Sequence, residues 1–261
     1  MNNPVPLSVA IITLDEAANL PGCLQSVAFA DQIVVVDSGS LDDTVPIATA
    51  AGCDVFNEAW CGFGPQKQLA VDRCRNDWVL VLDADERVPP ETAAVIRDIV
   101  ANPSRAEGYS FPRKNYFQGR WIRHAGWWPD RVVRLFRKDR GRMTPTSVHE
   151  SVVVKGTVVP LAVPIEHFTE SRLSEILKKI DRYSTLGAQE AFAAGRTATV
   201  WGAAFRAKLA FFHNYIVRLG CLDGPQGFTL AITDGVNKFC KYAKLAELSK
   251  ERRAKGVRGK G

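Results

Sequence analysis

The sequence predicts an α/β fold: a mostly parallel central sheet, Rossmann-like in its alternation, followed by a C-terminal helical appendage. Apolar runs near 7–13, 32–37, 53–56 and 78–82 alternate with helical stretches near 16–28, 42–51 and 65–75. That alternation reads as βαβ units with right-handed crossovers. The run Val79-Leu80-Val81-Leu82 is apolar without interruption, as in a strand buried on both faces. Beyond residue 196 the pattern turns aromatic, basic and helical. With 261 residues and 46% hydrophobic composition, the chain is long enough to bury one full α/β core.

The first strand, Leu7 to Thr13, leads into Leu14-Asp15-Glu16-Ala17-Ala18-Asn19-Leu20. The second, Gln32 to Asp37, runs into Ser38-Gly39-Ser40 and then Leu41-Asp42-Asp43-Thr44. The strand through Leu82 ends in Asp83-Ala84-Asp85-Glu86, three carboxylates within four residues. In an open parallel sheet the carboxyl ends of neighbouring strands share one crevice, and ligands bind there, so these three exits can line one pocket. Carboxylates two apart at a strand exit can face one hard ion, Mg²⁺ or Mn²⁺, with room left for substrate phosphates. The alternative is a solvated acidic loop ahead of the helix at Pro89-Pro90-Glu91. Gly39 lets backbone approach a ligand closely. Asp42 and Asp43 read as helix caps outside the site, and Glu16 is either pocket wall or helix N-terminal charge.

Residues 90–101 form a further predicted helix. Strand patterns at 107–117 and 131–137 flank a loop rich in Gly and Trp, and 144–160 has the Thr, Ser and Val content of exposed strands. Arg172 to Ala194 places Leu173, Ile176, Leu177, Ile180, Tyr183 and Leu186 at helical spacing. Arg134 and Arg137 flank Leu135 and Phe136 and are expected to point the same way, toward a diphosphate or a phosphorylated acceptor; a solvated strand face is the alternative. Trp127 and Trp128 offer a stacking platform for a sugar beside Asp130, whose pKa their desolvation would raise; an ion pair of Asp130 with Arg131 or Arg134 is its structural alternative.

Ala198 to Leu219 is rich in aromatics but broken by Arg206, Lys208, His213 and Arg218, too often for a spanning helix. It suits a helix lying in a membrane interface, with basic side chains reaching up to phosphates, or else an ordinary core packed on the preceding domain. A turn at 223–227 precedes a second basic amphipathic helix, Phe228 to Leu248, and Ser249 to Gly261 is expected to be disordered. The net charge of +6 is uneven: from residue 196 onward thirteen Lys and Arg face four Asp and Glu, leaving residues 1–195 at −3. Such asymmetry points to an anionic surface. Lipid fits better than nucleic acid, for which no docking motif is present. Six cysteines without a C-x-x-C pair suit a reducing compartment, and Met1-Asn2-Asn3-Pro4 enters a strand without a secretory signal, so a cytoplasmic location is expected.

The ordered motifs T-L-D-E-A-x-N-L, V-V-V-D-S-G-S-x-D-x-T and L-D-A-D-E resemble the nucleotide-sugar half of inverting family 2 glycosyltransferases with the GT-A fold. Lys114-Asn115-Tyr116-Phe117, Gly126-Trp127-Trp128-Pro129-Asp130, Arg134-Leu135-Phe136-Arg137, Val148-His149-Glu150 and Pro164-Ile165-Glu166-His167 resemble a narrower branch, the bacterial glucosyltransferases acting on the inner-core heptose of lipopolysaccharide. The resemblance implies a UDP-hexose donor, a glycolipid acceptor and a place on the inner face of the inner membrane, against anionic lipids. It implies Mg²⁺ or Mn²⁺ held directly by Asp85, with Asp83 near the ribose or reaching the ion through water, and with His149 or His167 completing the sphere. Asp37 would meet the base or ribose, and Asp15, Glu16, Ser38 and Gly39 would border the same pocket. The base would be Glu150, with Asp130 and then Glu86 as competitors. Residues 1–195 would form the catalytic domain, 1–103 its nucleotide-sugar half and 104–195 its acceptor half, and 196–261 a membrane-associating region. A polyprenyl phosphate acceptor, or a non-catalytic nucleotide- or membrane-binding module, are the alternatives.

Overall fold

Continuous apolar runs become strands because helices cover both sides of the sheet they form. The computed structural model describes residues 4–102, 105–144, 151–169 and 172–258, with side chains through residue 250. The chain divides into two compact units, Met1–Lys114 with Pro129–Phe168, and Asn115–Trp128 with Thr169–Gly261.

In the first unit β1 (Val5–Thr13), β2 (Ala30–Asp37), β3 (Asp54–Asn57) and β4 (Trp78–Asp83) are parallel, in the order β3-β2-β1-β4. Between them run α1 (Leu20–Ser26), α2 (Thr44–Ala50) and α3 (Phe63–Asp72), and α4 (Pro90–Ala101) follows. Leu7, Val9, Ile11, Leu80 and Leu82 pack with Leu20, Leu24 and Ile96 on one face. Ala10, Val34, Val36, Val79 and Val81 pack with Ala70, Val71 and Phe136 on the other. Register sets the crevice: Thr13 pairs with Asp37 and Ile12 with Asp83, so two carboxylates flank the end of β1.

The sheet continues beyond β4 with antiparallel strands. β8 (Asp130–Arg137) pairs with β4, and β6 (Gly108–Phe117) with β8. β12 (Ile165–Phe168) and β5 (Glu86–Arg87) follow, with His167 opposite Glu86. β11 (Val158–Pro160) adds to β6, and β9 (Gly141–Met143) pairs with β10 (Val152–Val154). Among its described residues the expected 144–160 strand region holds β10 and β11, joined through Gly156 at positive φ.

The second unit opens with β7 (Arg120–Trp121), folded back on the end of β6. Its helices are α5 (Leu173–Ala193), α6 (Val200–Phe212) and α7 (Gly224–Arg258), and α7 packs against both others. Phe117, Ile122 and Leu230 form one small core and Ala188, Ala191 and Leu245 another. Lys244 Nζ ties α7 to α5 through Asp181, Ser184 and Thr185. The boundary expected at 195 falls inside this unit, because α5 packs on α7. The helix expected across 198–219 changes to a π-helical turn at His213–Val217 and stops at Leu219, whose φ is 58°. The tail expected to be disordered from Ser249 continues as helix to Arg258. Among the described residues no helix is long and apolar enough to cross a membrane.

Leu80, fully buried, and Leu41, 95% exposed, bracket the energetic range. Leu80→Ala is expected to lower stability by about 2–5 kcal/mol and Leu41→Ala to stay within about 0.5 kcal/mol, as read by urea denaturation.

Candidate active site

The exits of β1 and β2 are laced together by short polar side chains. Asp37, 1% exposed, accepts hydrogen bonds from Thr13 Oγ1 (2.8 Å), Gly39 N (2.9 Å), Ser40 N (2.8 Å) and Ser40 Oγ (2.5 Å). Burial works against its charge, yet these donors outweigh burial and hold the carboxyl below its ordinary pKa. Asp15, at φ 55°, donates its N–H to Ser40 Oγ and accepts Leu41 N at 2.8 Å. Glu16 N donates to Thr44 Oγ1 (2.8 Å), and the Glu16 carboxylate accepts Asn19 Nδ2 (2.9 Å). Ser38 Oγ is buried with no hydrogen-bond partner among the described residues. Asp37, expected to meet a base or ribose, is therefore first the anchor of its own turn.

At the exit of β4 the charges are cross-linked. Asp83 Oδ1 meets Lys67 Nζ at 2.5 Å, and Asp83 Oδ2 meets an Arg134 nitrogen at 2.6 Å. The same Arg134 nitrogen reaches Glu86 Oε1 at 2.6 Å, and Glu86, fully buried, also accepts Asp83 N at 3.1 Å. Burial alone would raise the Asp83 pKa, but Lys67 and then Arg134 hold it far below the carboxylate range. Burial would lower Arg134, and Glu86 and Asp83 instead push it further up. Asp83, expected at the ion or ribose, thus has both oxygens engaged by cations. Glu86, expected as a further candidate base, is sealed from any acceptor hydroxyl.

Asp85 points to a different partner. Its Oδ2 lies 3.2 Å from His167 Nε2, with side chains 25% and 18% exposed. Burial lowers the imidazole pKa, and the Asp85 hydrogen bond and charge, with Glu86 behind, more than reverse this and raise it. The carboxylate oxygen suits Mg²⁺ or Mn²⁺, and the imidazole nitrogen beside it favours the softer Mn²⁺ of the two. Among the described residues no three His, Cys, Asp or Glu gather closely enough to hold an ion alone. Binding by this pair requires neutral imidazole, so the raised His167 pKa works against it as pH falls.

The remaining expected residues are scattered. His149 and Glu150 lie outside the described residues. Asp130 is gripped by Arg113, a partner outside the two expected, with Nε at 2.9 Å and the terminal nitrogen at 2.5 Å. Arg134 and Arg137 do not point the same way: residues three apart on a strand face opposite sides, and Arg137 lies over the Trp78 ring, 5.0 Å from its centroid. Trp127 and Trp128 belong to the second unit, where Trp127 packs on its core and Trp128 meets Trp121 edge to face at 5.2 Å. Lys67 and Arg113 are the cations in contact with these carboxylates that motif reading missed. Lys67 shares a helix face with Ala70 and Val71, three and four residues on, a spacing that marks it as inward-facing.

Comparisons with known proteins agree with the strand-exit motifs. A family description, Glycosyl transferase family 2, matches residues 8–153. The chain is 30% identical over 253 residues to the lipopolysaccharide core biosynthesis glycosyltransferase LpsC of Rhizobium meliloti (strain 1021), covering 92% of each chain. It is 28% identical over 255 residues to a glycosyltransferase of Rickettsia typhi, covering 93% of this chain and 87% of that one. Among solved structures, glucosyl-3-phosphoglycerate synthase from Mycobacterium tuberculosis, in complex with Mn²⁺, UDP and glucosyl-3-phosphoglycerate, matches at 22% identity with a TM-score of 0.35. That match covers 44% of this chain, which spans under half of that structure's length, 45%.

Arg134→Met leaves two carboxylates facing each other in the core and is expected to cost about 3–5 kcal/mol at neutral pH. Because the folded pKa of Asp83 is depressed, its contribution is fully present above the unfolded value of about 3.9 and drains away at lower pH. The gap between variant and parent, measured by urea unfolding, should therefore narrow as pH falls below about 4.

Proposed function

Because the chain belongs to glycosyl transferase family 2, we propose that it transfers a hexose, glucose from UDP-glucose, onto a core sugar of lipopolysaccharide, inverting the anomeric carbon by single displacement. The observation that carries this reading is the Asp85–His167 pair at the exit of β4, beside strand exits shaped like a nucleotide crevice. The likeness to LpsC, whose name places it in lipopolysaccharide core biosynthesis, supports the acceptor class.

Each residue has a task that follows from its contacts. Asp37 holds the Ser38-Gly39-Ser40 turn rigid, so that the Ser38 hydroxyl and the Gly39 backbone face the nucleoside without an entropic cost at binding. Lys67 and Arg134 neutralise Asp83 and fix the loop that carries Asp85. Asp85 and His167 would hold Mg²⁺ or Mn²⁺. An ion held there would supply positive charge to offset the charge of a leaving diphosphate. Asp130, oriented by Arg113, is the candidate base among the described residues, to take the proton of the acceptor hydroxyl; Glu150 is the other candidate.

The acceptor is a glycolipid, and the second unit supports a site of work on the inner face of the inner membrane. On α6, Trp201, Phe205, Leu209 and Phe212 are 87%, 61%, 50% and 54% exposed, spaced by four, four and three residues, a single outward stripe. Arg206, Lys208 and Arg218 are exposed nearby. Apolar rings with flanking cations suit an anionic lipid interface.

Asp85→Asn is expected to lower glucose transfer from UDP-glucose by about a hundredfold or more, and chelation of divalent metal should do the same to the parent; transfer by Asp85→Asn at the parental rate would sink the proposal. In sedimentation with vesicles containing anionic lipid, replacing both Trp201 and Phe205 by Ser should weaken partitioning by about tenfold or more. Unchanged pelleting would remove the membrane part of the reading.

A further inference from the structure

The second unit contains a cavity of about 620 Å³, walled by Gln118, Arg120, Trp121, Arg123, His124 and Gln226 among others. Its construction begins with a tight reversal: Gln118 and Gly119 both have positive φ, 48° and 75°, and turn β6 back into β7. The reversal presents Arg120 and Trp121 on one wall. The Arg123 guanidinium carbon sits over the Trp121 ring, 4.2 Å from its centroid, a cation–π contact that restrains the side chain. Arg120 donates to Leu222 O at 3.2 Å and so stands beside Gly224, the first residue of α7.

The opposite wall is fixed by a buried carboxylate. Asp223, 2% exposed, accepts Arg123 N at 3.2 Å and His124 N at 2.9 Å, and meets His124 Nδ1 at 3.0 Å. Its charge therefore goes into holding the 123–124 backbone and the imidazole. Arg120 and Arg123 remain exposed, with no other acidic residue on the walls. Two guanidinium groups set against the positive end of a long helix form a receptor for phosphate. The amides of Gln118 and Gln226 line the same cavity and suit the hydroxyls of a sugar.

We propose that this cavity binds a phosphorylated sugar, its phosphate held by Arg120 and Arg123. The site stands on the geometry of the second unit alone; reading its occupant as a phosphorylated sugar of the acceptor rests on the transfer proposed above.

Calorimetric titration of the full chain with glucose 6-phosphate, glycerol 3-phosphate and inorganic phosphate tests the assignment. Glucose 6-phosphate should bind about tenfold more tightly than either of the others, and more weakly as salt is raised. Equal affinity for all three would overturn the sugar-phosphate reading. Arg120→Gln combined with Arg123→Gln should weaken glucose 6-phosphate by about a hundredfold while leaving UDP binding intact, and undiminished glucose 6-phosphate binding would overturn the site. Arg123→Lys carries the same test should the double variant fail to fold: it keeps the charge without the fork, and about a tenfold loss is expected. Undiminished binding in that variant again overturns the site. Because UDP is titrated separately, a parent that binds glucose 6-phosphate but not UDP would sink the donor assignment and leave this cavity standing.

Discussion

The exit of β4 depends on one electrostatic arrangement: Arg134, almost wholly buried, bridging Asp83 and Glu86 while Lys67 closes on Asp83 from α3. Two carboxylates and two cations, brought together where three strands and a helix converge, cancel charge that the interior would not otherwise tolerate. Without the cations the Asp83-Ala84-Asp85-Glu86 turn would repel itself and splay into solvent. With them, the turn is pinned to β8 and α3, and only Asp85 is left to look outward at His167.

This division of labour explains why three acidic residues so close in sequence do different things. Glu86 is structural because it points into the sheet and has no exposure. Asp83 sits at the edge, neutralised. Asp85 is aligned by a main-chain bond from Phe168 N to its carbonyl at 2.9 Å, which draws β12 and its histidine alongside. A ligand approaching the crevice thus meets a site already organised, with little left to reorder on binding.

Much of this was legible in the sequence where the determinant is local. The four parallel strands and their crossover helices follow from uninterrupted apolar runs, and the strand exits from the abrupt switch to acidic and small polar residues. What depends on register was not legible. Arg113 stands directly opposite Asp130 across β6 and β8, a cross-strand pair that no spacing within either strand reveals. The Arg134–Arg137 expectation failed on a rule that was available, the two-residue period of a strand. Trp127 neighbours Asp130 in the chain, yet its ring went to the core of the second unit with Phe117 and Leu230, since adjacency says nothing about which side of a loop a large apolar ring will bury. Lys67 was overlooked because attention to carboxylates gave no reason to ask which cations accompany them.

The first strand exit and the charge cluster of β4, β5 and β8 meet at one guanidinium. Arg87 donates to Asn19 O at 2.6 Å and to the Ala84 and Glu86 carbonyls at 2.9 and 2.8 Å. Asn19 in turn donates its side-chain amide to the Glu16 carboxylate at 2.9 Å. A substitution that remodels the 14–19 loop is thereby transmitted to the turn carrying Asp85, and the two assemblies are constrained to drift together.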